Sequence, residues 1–122
     1  MNVGSVVWTP FVPVAAERVT DGSPEERIAV IEENDRYSYG LWEVTPGRFT
    51  TKHAGDDEVI HIVQGHGVLR SQTGDEITIE PGAIFVMPDG YAGEWEIHEA
   101  VRKTYVQVKN RDGEFGPQLS HP

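Results

Sequence analysis

Apolar residues in this chain almost never recur at the three-and-four spacing of an amphipathic helix, and this constrains the fold more than any motif does. Glycine and proline punctuate the sequence throughout, with short β-branched and aromatic runs between them. That is the pattern of an antiparallel β-sandwich or small barrel. From Tyr39 onward the expected strands are YGLWEV (39–44), RFTTKH (48–53), EVIHIVQ (58–64), GVLRSQ (67–72), EITIE (76–80), AIFVMP (83–88), GEWEIHE (93–99) and RKTYVQVK (102–109). Turn chemistry separates them at Thr45-Pro46-Gly47, Thr73-Gly74-Asp75, Pro81-Gly82 and Asp89-Gly90. Only SPEERIAVIEE (23–33) has some helical character. Its Ser23-Pro24-Glu25-Glu26 start resembles a capped helix entry, while the apolar run Ile28 to Ile31 suits a buried strand, and strand is the preferred reading.

Alternation along a strand says which side chains share a face. In RFTTKH, Phe49, Thr51 and His53 fall together, which makes His53 an inward-pointing histidine. In GEWEIHE, Gly93, Trp95 and Ile97 take the apolar side, and Glu94, Glu96 and His98 the wet one. EVIHIVQ is apolar on both sides, as a strand covered on both faces would be. In KTYVQVK the more apolar face is Thr104, Val106 and Val108. Lys103 and Tyr105 go to the other side, where an ion-pair or interface role is expected, with Glu96 or Glu99 as partner. The alternative is a lysine that holds an anionic ligand.

Composition removes several function classes. Cysteine is absent, which excludes disulfides, zinc–thiolate sites and thiol nucleophiles, and fits a reducing compartment, so a cytoplasmic location is expected. The net charge is −10 and the ten basic residues are scattered, so nucleic acid is not an expected partner. The stretch MNVGSVVWTPFVPVAAERV has neither a basic start nor an uninterrupted apolar run, and no membrane association is expected. A length of 122 residues suits one domain. Residues 1–37 are expected to be lead-in strands packing on a barrel, 38–110 the barrel core, and 111–122 an irregular tail.

The layout from residue 38 to 109 resembles a cupin. The usual first cupin motif reads glycine, five residues, His-x-His, three or four residues, Glu, six residues, glycine. Here five residues separate Gly47 from His53, and six separate Glu58 from Gly65. The second motif reads glycine, five residues, Pro-x-Gly, two residues, His, and Gly82, Pro88 and Gly90 stand at its spacing. Gly40-Leu41-Trp42-Glu43, Thr45-Pro46-Gly47 and GYAGEWEIHEAVRKTYV (90–106) are similar to the small single-domain cupins grouped with ureidoglycine aminohydrolase and the ethanolamine-utilisation cupin. The resemblance implies an all-β double-stranded β-helix, the jelly-roll barrel, commonly as a homodimer. It does not imply one reaction, because the fold hosts enzymes and binding proteins alike.

The departures from the motifs shape the functional expectation. Gly55 stands where the second histidine of the first motif belongs, and Gly93 where the histidine of the second belongs. With two of four usual ligand positions vacant, no metal cofactor is expected; manganese, iron, nickel or zinc would have only His53 and Glu58 to hold it. His61 lies three residues beyond Glu58 and so points to the opposite face. Asp56 and Asp57 read as a solvated pair in a turn. A Glu58 carboxylate turned inward loses hydration unless a cation or donors compensate, and His53 is the nearby partner in the sequence. The pair could act as general acid and base, or be a satisfied polar pair on a binding scaffold. The expected ligand pocket comprises His53, Glu58, Gly55, Gly93 and Trp95, with space left by the missing imidazoles. A small-molecule-binding cupin is the leading expectation. The alternatives are an enzyme acting on a small nitrogen- or carboxylate-bearing metabolite, and a structural dimer module.

Overall fold

A computed structural model describes residues 6–110 of the chain. The strands are β1 (Val12–Pro13), β2 (Val19–Asp21), β3 (Glu25–Glu33), β4 (Tyr37–Val44), β5 (Gly47–Lys52), β6 (Asp56–Ser71), β7 (Glu76–Ile79), β8 (Ile84–Met87) and β9 (Ala92–Lys109), with one short 3-10 turn at Ala16–Arg18. All their pairings are antiparallel. The expected all-β jelly-roll barrel is the fold that forms, and the tail expected at 111–122 lies outside the described residues. No helix among the described residues is long and apolar enough to cross a membrane.

The segment with mixed helix and strand character is strand β3, paired along its length with β4. Its start is tied to the end of β4 rather than to a helical turn. The Glu25 amide donates to Thr45 Oγ1 at 2.8 Å, and the Thr45 amide donates to the Glu25 carbonyl at 2.9 Å. Tertiary pairing has overridden a local capping signal.

The sequence suggested two strands over 58–72 and two over 93–109. Each pair is instead one long strand, β6 and β9, bent in the middle. The bends face each other. Register shifts between Ile62 and Gly67 mark the corner of β6, where extra residues increase the local twist. Gly65 sits there at φ +99°, and a Cβ on it would lie 2.2 Å from the Ala100 carbonyl oxygen of β9. A glycine that looks like a turn in sequence is here a close crossing of two strands.

The bent strands serve two sheets at once. The first half of β6 pairs with β8 and with the second half of β9, whose other edge pairs with β4. The second half of β6 pairs with β7 and with the first half of β9, whose other edge pairs with β5. β1 and β3 extend the first sheet, and β2 extends the second. Phe49, Ile60, Ile62, Leu69, Ile79, Trp95 and Val101 fill the space between, all 2 % exposed or less. Aliphatic packing closes one part of the barrel, which leaves the remainder free for a site.

Candidate functional site

A cavity of about 890 Å³ opens between the sheets. The alternation that fills the core also lines it. On β9 the odd-numbered residues face inward on both sides of the bend: Trp95 and Ile97 before it, and Val101, Lys103, Tyr105 and Gln107 after it. Trp42 comes from β4, Phe49 and Thr51 from β5, and Glu58 from β6. His53 follows β5 directly. Its amide donates to the Tyr91 carbonyl at 2.8 Å and its carbonyl accepts from the Gly90 amide at 3.0 Å, so the ring is fixed against the β8–β9 turn.

Lys103 is the principal correction to the sequence reading. It and Tyr105 are buried, at 6 % and 4 % exposure, while Val106 and Val108 of the supposed inner face stand exposed. Its partner is neither Glu96 nor Glu99. Lys103 Nζ donates to Glu58 Oε2 at 2.5 Å. Side chains ranked singly by hydropathy send a lysine outward, whereas the carboxylate of the neighbouring strand makes its burial tolerable. The ammonium also lies 4.5 Å from the Trp42 ring centroid and 5.3 Å from that of Trp95, within cation–π range of both.

The other Glu58 oxygen faces His53 Nε2 and Gln107 Nε2, each at 3.4 Å. On the far side of the imidazole, Nδ1 meets Asp56 Oδ1 at 3.2 Å. Asp56, His53, Glu58 and Lys103 therefore form a continuous polar chain from the cavity rim to its floor. The Asp56-Asp57 pair is not merely solvated, because Asp57 Oδ1 accepts the Asp89 amide at 2.7 Å. Tyr105, packed under Gly40, has its phenol pushed up from the usual range by burial, against a Ser38 hydrogen bond that pulls it down. The aromatic wall is continuous: Trp42 and Trp95 have centroids 5.6 Å apart, and the Trp42 indole N–H donates to Glu26 at 2.9 Å.

Of the residues singled out from the sequence, His53, Glu58 and Trp95 meet in this cavity. Gly93 lines it too, but for another reason. A Cβ there would sit 2.2 Å from the Arg70 carbonyl oxygen of β6, so the glycine reflects a strand crossing and not a lost side chain that left space. Gly55 lies outside the lining, exposed, its amide donating to Asp89 Oδ1 at 2.9 Å. His61 is on the outer face, in register with Ile84 and Thr104. Arg102 also faces out, 3.3 Å from Glu43 and under the Trp8 ring. Sequence reasoning missed Trp42, Tyr105 and Gln107 as pocket residues and kept Lys103 only as the alternative, a lysine that holds an anionic ligand. Carrying the odd-numbered face of Trp95 through to residue 107 would have found Tyr105 and Gln107 and turned Lys103 inward with them.

The donor set does not fit a cupin metal ion. Among the described residues no group of three or more His, Asp or Glu side chains is placed to hold one. An ion shared by His53 and Glu58 would lie at Oε1, the oxygen facing the imidazole, while the Lys103 ammonium already sits 2.5 Å from Oε2 of the same carboxylate. A second cation on that carboxylate would be repelled by the first.

A bent two-sheet barrel with a histidine and a glutamate aimed into its cavity defines the class of protein as a cupin. The chain belongs to the EutQ-like cupin domain family, whose model matches residues 31–105. No protein of curated function matches the sequence. Among solved structures, it is similar to a protein of unknown function from Pseudomonas syringae pv. tomato strain DC3000, with TM-score 0.74 and 22 % identity over 85 % of this chain and 45 % of that one. The chain therefore spans less than half the length of that relative. It is also similar to an ethanolamine utilization protein Q from Salmonella typhimurium, with TM-score 0.63 and 14 % identity over 88 % of this chain and 100 % of that one. Ectoine synthase from P. lautus matches with TM-score 0.62 and 14 % identity over 80 % and 73 % of the two chains. Likenesses at this level concern the fold, and the three names share no single activity.

Proposed function

We propose that this cupin binds a small polar metabolite in the barrel cavity and does so without a metal ion. The observation that carries the reading is the buried Lys103–Glu58–His53 cluster inside an open cavity of about 890 Å³ with an aromatic wall. Desolvated charges are costly where packing alone is needed, and hydrophobic replacements would serve a structural module as well. A concave, largely preformed space with a few convergent polar groups is the usual form of a ligand site. A thermal-shift screen of small polar metabolites tests it, using the native chain and a Thr51→Trp variant whose indole fills the cavity mouth. A ligand at 100 times its Kd adds about 2.7 kcal/mol of stability. The reading fails if no compound stabilises the native chain, or if every hit also stabilises Thr51→Trp.

A second reading, acid–base catalysis on the bound molecule, is favoured by one feature. Asp56 on Nδ1 fixes the ring of His53 with Nε2 toward Glu58, the arrangement that orients a proton-transferring imidazole. Conversion of a bound hit that is lost in His53→Gln, with binding retained, supports catalysis; unchanged hits leave a binding protein.

We also place the protein in the cytoplasm, on its lack of cysteine, and read it as a homodimer. Val59, Val63, Ile84, Val86, Val106 and Val108 are exposed on the outer face of three adjacent strands, with Val86, Val59 and Val106 in register across them. A flat apolar face of this kind suits a second copy of the chain across a two-fold axis. Cell fractionation checks the first statement, and a monomer in sedimentation would overturn the second.

A further inference from the structure

The cavity lining is richer in basic side chains than the chain as a whole. Four of the ten Lys and Arg residues line it, Arg18, Lys52, Arg70 and Lys103, against three of the twenty Asp and Glu. Arg70 is paired with Glu76 and Glu96 and Lys103 with Glu58, while Glu26 and Glu94 accept from the neutral Trp42 indole and Thr20 hydroxyl. Lys52 at the rim makes no ion pair among the described residues.

Lys103 lies deepest. An ammonium has three N–H donors, and among the described residues this one makes a single hydrogen bond, to Glu58. Its other near neighbours are the faces of Trp42 and Trp95, which attract a cation but accept no proper hydrogen bond. A donor is therefore spare on a buried ammonium.

We propose that Lys103 is the resident cation of this pocket, and that it holds a carboxylate oxygen of an organic acid whose body packs on Trp42 and Trp95. The inference rests on the ligand-pocket reading above and narrows it to one ligand chemistry. Charge-assisted N–H···O bonds are about twice as strong as neutral ones, so the carboxylate is the part of the ligand that the site selects. A phosphate, with more charge and more oxygens, would need several donors at the floor, and a single cation lies there.

Benzoate and its neutral counterpart benzamide are the probes, followed by titration calorimetry and thermal shift at low salt. Benzoate is expected to bind the native protein and benzamide to bind at least about tenfold more weakly, the difference made by one charge-assisted hydrogen bond. Lys103→Arg retains benzoate binding. Glu58→Gln retains or tightens it, because the competing carboxylate is gone. The double variant Lys103→Met/Glu58→Gln carries no unpaired buried charge, so it keeps the fold while losing benzoate. Survival of benzoate binding in the double variant overturns the proposal, as does equal affinity for benzamide. Stoichiometric metal on protein purified without an affinity tag, lost in Glu58→Gln, overturns it as well. If neutral or cationic compounds bind and Thr51→Trp excludes them while benzoate stays silent, the carboxylate inference falls and the pocket reading stands. If nothing binds, both fall.

Discussion

Replacing Lys103 with methionine should destabilise the barrel even with no ligand present. Lys103 and Glu58 are 6 % and 3 % exposed and 2.5 Å apart, and methionine keeps the length of the side chain while deleting the charge. Glu58 would be left with His53 and Gln107, both at 3.4 Å and neither in strong hydrogen-bonding geometry. Removing one member of a buried pair costs roughly 3–5 kcal/mol, since the other charge remains desolvated. The cavity gives water some access to the pair, which favours the lower end, about 3 kcal/mol. At about 2.1 cal/mol/K of unfolding entropy per residue, 122 residues correspond to roughly 0.26 kcal/mol per degree, so the midpoint should fall by about 12 °C. A domain stabilised by about 5–15 kcal/mol survives that loss. The double variant Lys103→Met/Glu58→Gln removes both charges and should recover to within about 1 kcal/mol of the native chain. Urea unfolding followed by far-UV circular dichroism on the four proteins of the cycle measures the coupling. A Lys103→Met cost below about 1 kcal/mol would refute the reasoning, and so would a double variant as unstable as the sum of the singles.

Three further outcomes are expected. Gly93→Ala should destabilise by about 1–3 kcal/mol, the cost of overpacking, because its Cβ would meet the Arg70 carbonyl oxygen at 2.2 Å; urea unfolding indistinguishable from native would contradict the strand-crossing account. Glu96 accepts hydrogen bonds from His98 and Arg70, and these hold its carboxyl at about 2, well below its ordinary 4.5. A carboxylate lowered on folding contributes stability that is fully present above about 4.5 and is lost as pH falls toward about 2, so Glu96→Gln should flatten the acid limb in that window of a stability–pH curve. Ile84→Lys combined with Val86→Lys places two charges on the exposed outer face and should convert the proposed dimer to a folded monomer in sedimentation, without altering the circular dichroism spectrum.

Much of the barrel could be read from local chemistry, because a strand's faces alternate and its ends are marked by glycine, proline and asparagine-like turn residues. The alternation correctly turned His53, Trp95 and Ile97 inward and His61 outward. It failed at the two corners. Gly65 and the Glu99–Val101 segment look like strand breaks, but they are the places where β6 and β9 bend across one another, and only the facing backbone makes a glycine obligatory there. Gly93 misled in the same manner. As a single letter it looks like a deleted ligand, and in space it is a crossing with no room for any side chain.

The pocket divides along the same line. Residue types and spacing were enough to place a histidine and a glutamate in a cupin barrel and to show that the usual ligand set was incomplete. They could not show what stands beside Glu58, because Lys103 lies 45 residues away and its burial rests on that distant carboxylate and on the faces of Trp42 and Trp95. A charge inside a protein has no local signature. Its position depends on a partner that the chain brings alongside by strand pairing, and here β6 and β9 had to pair before the lysine had a reason to turn inward.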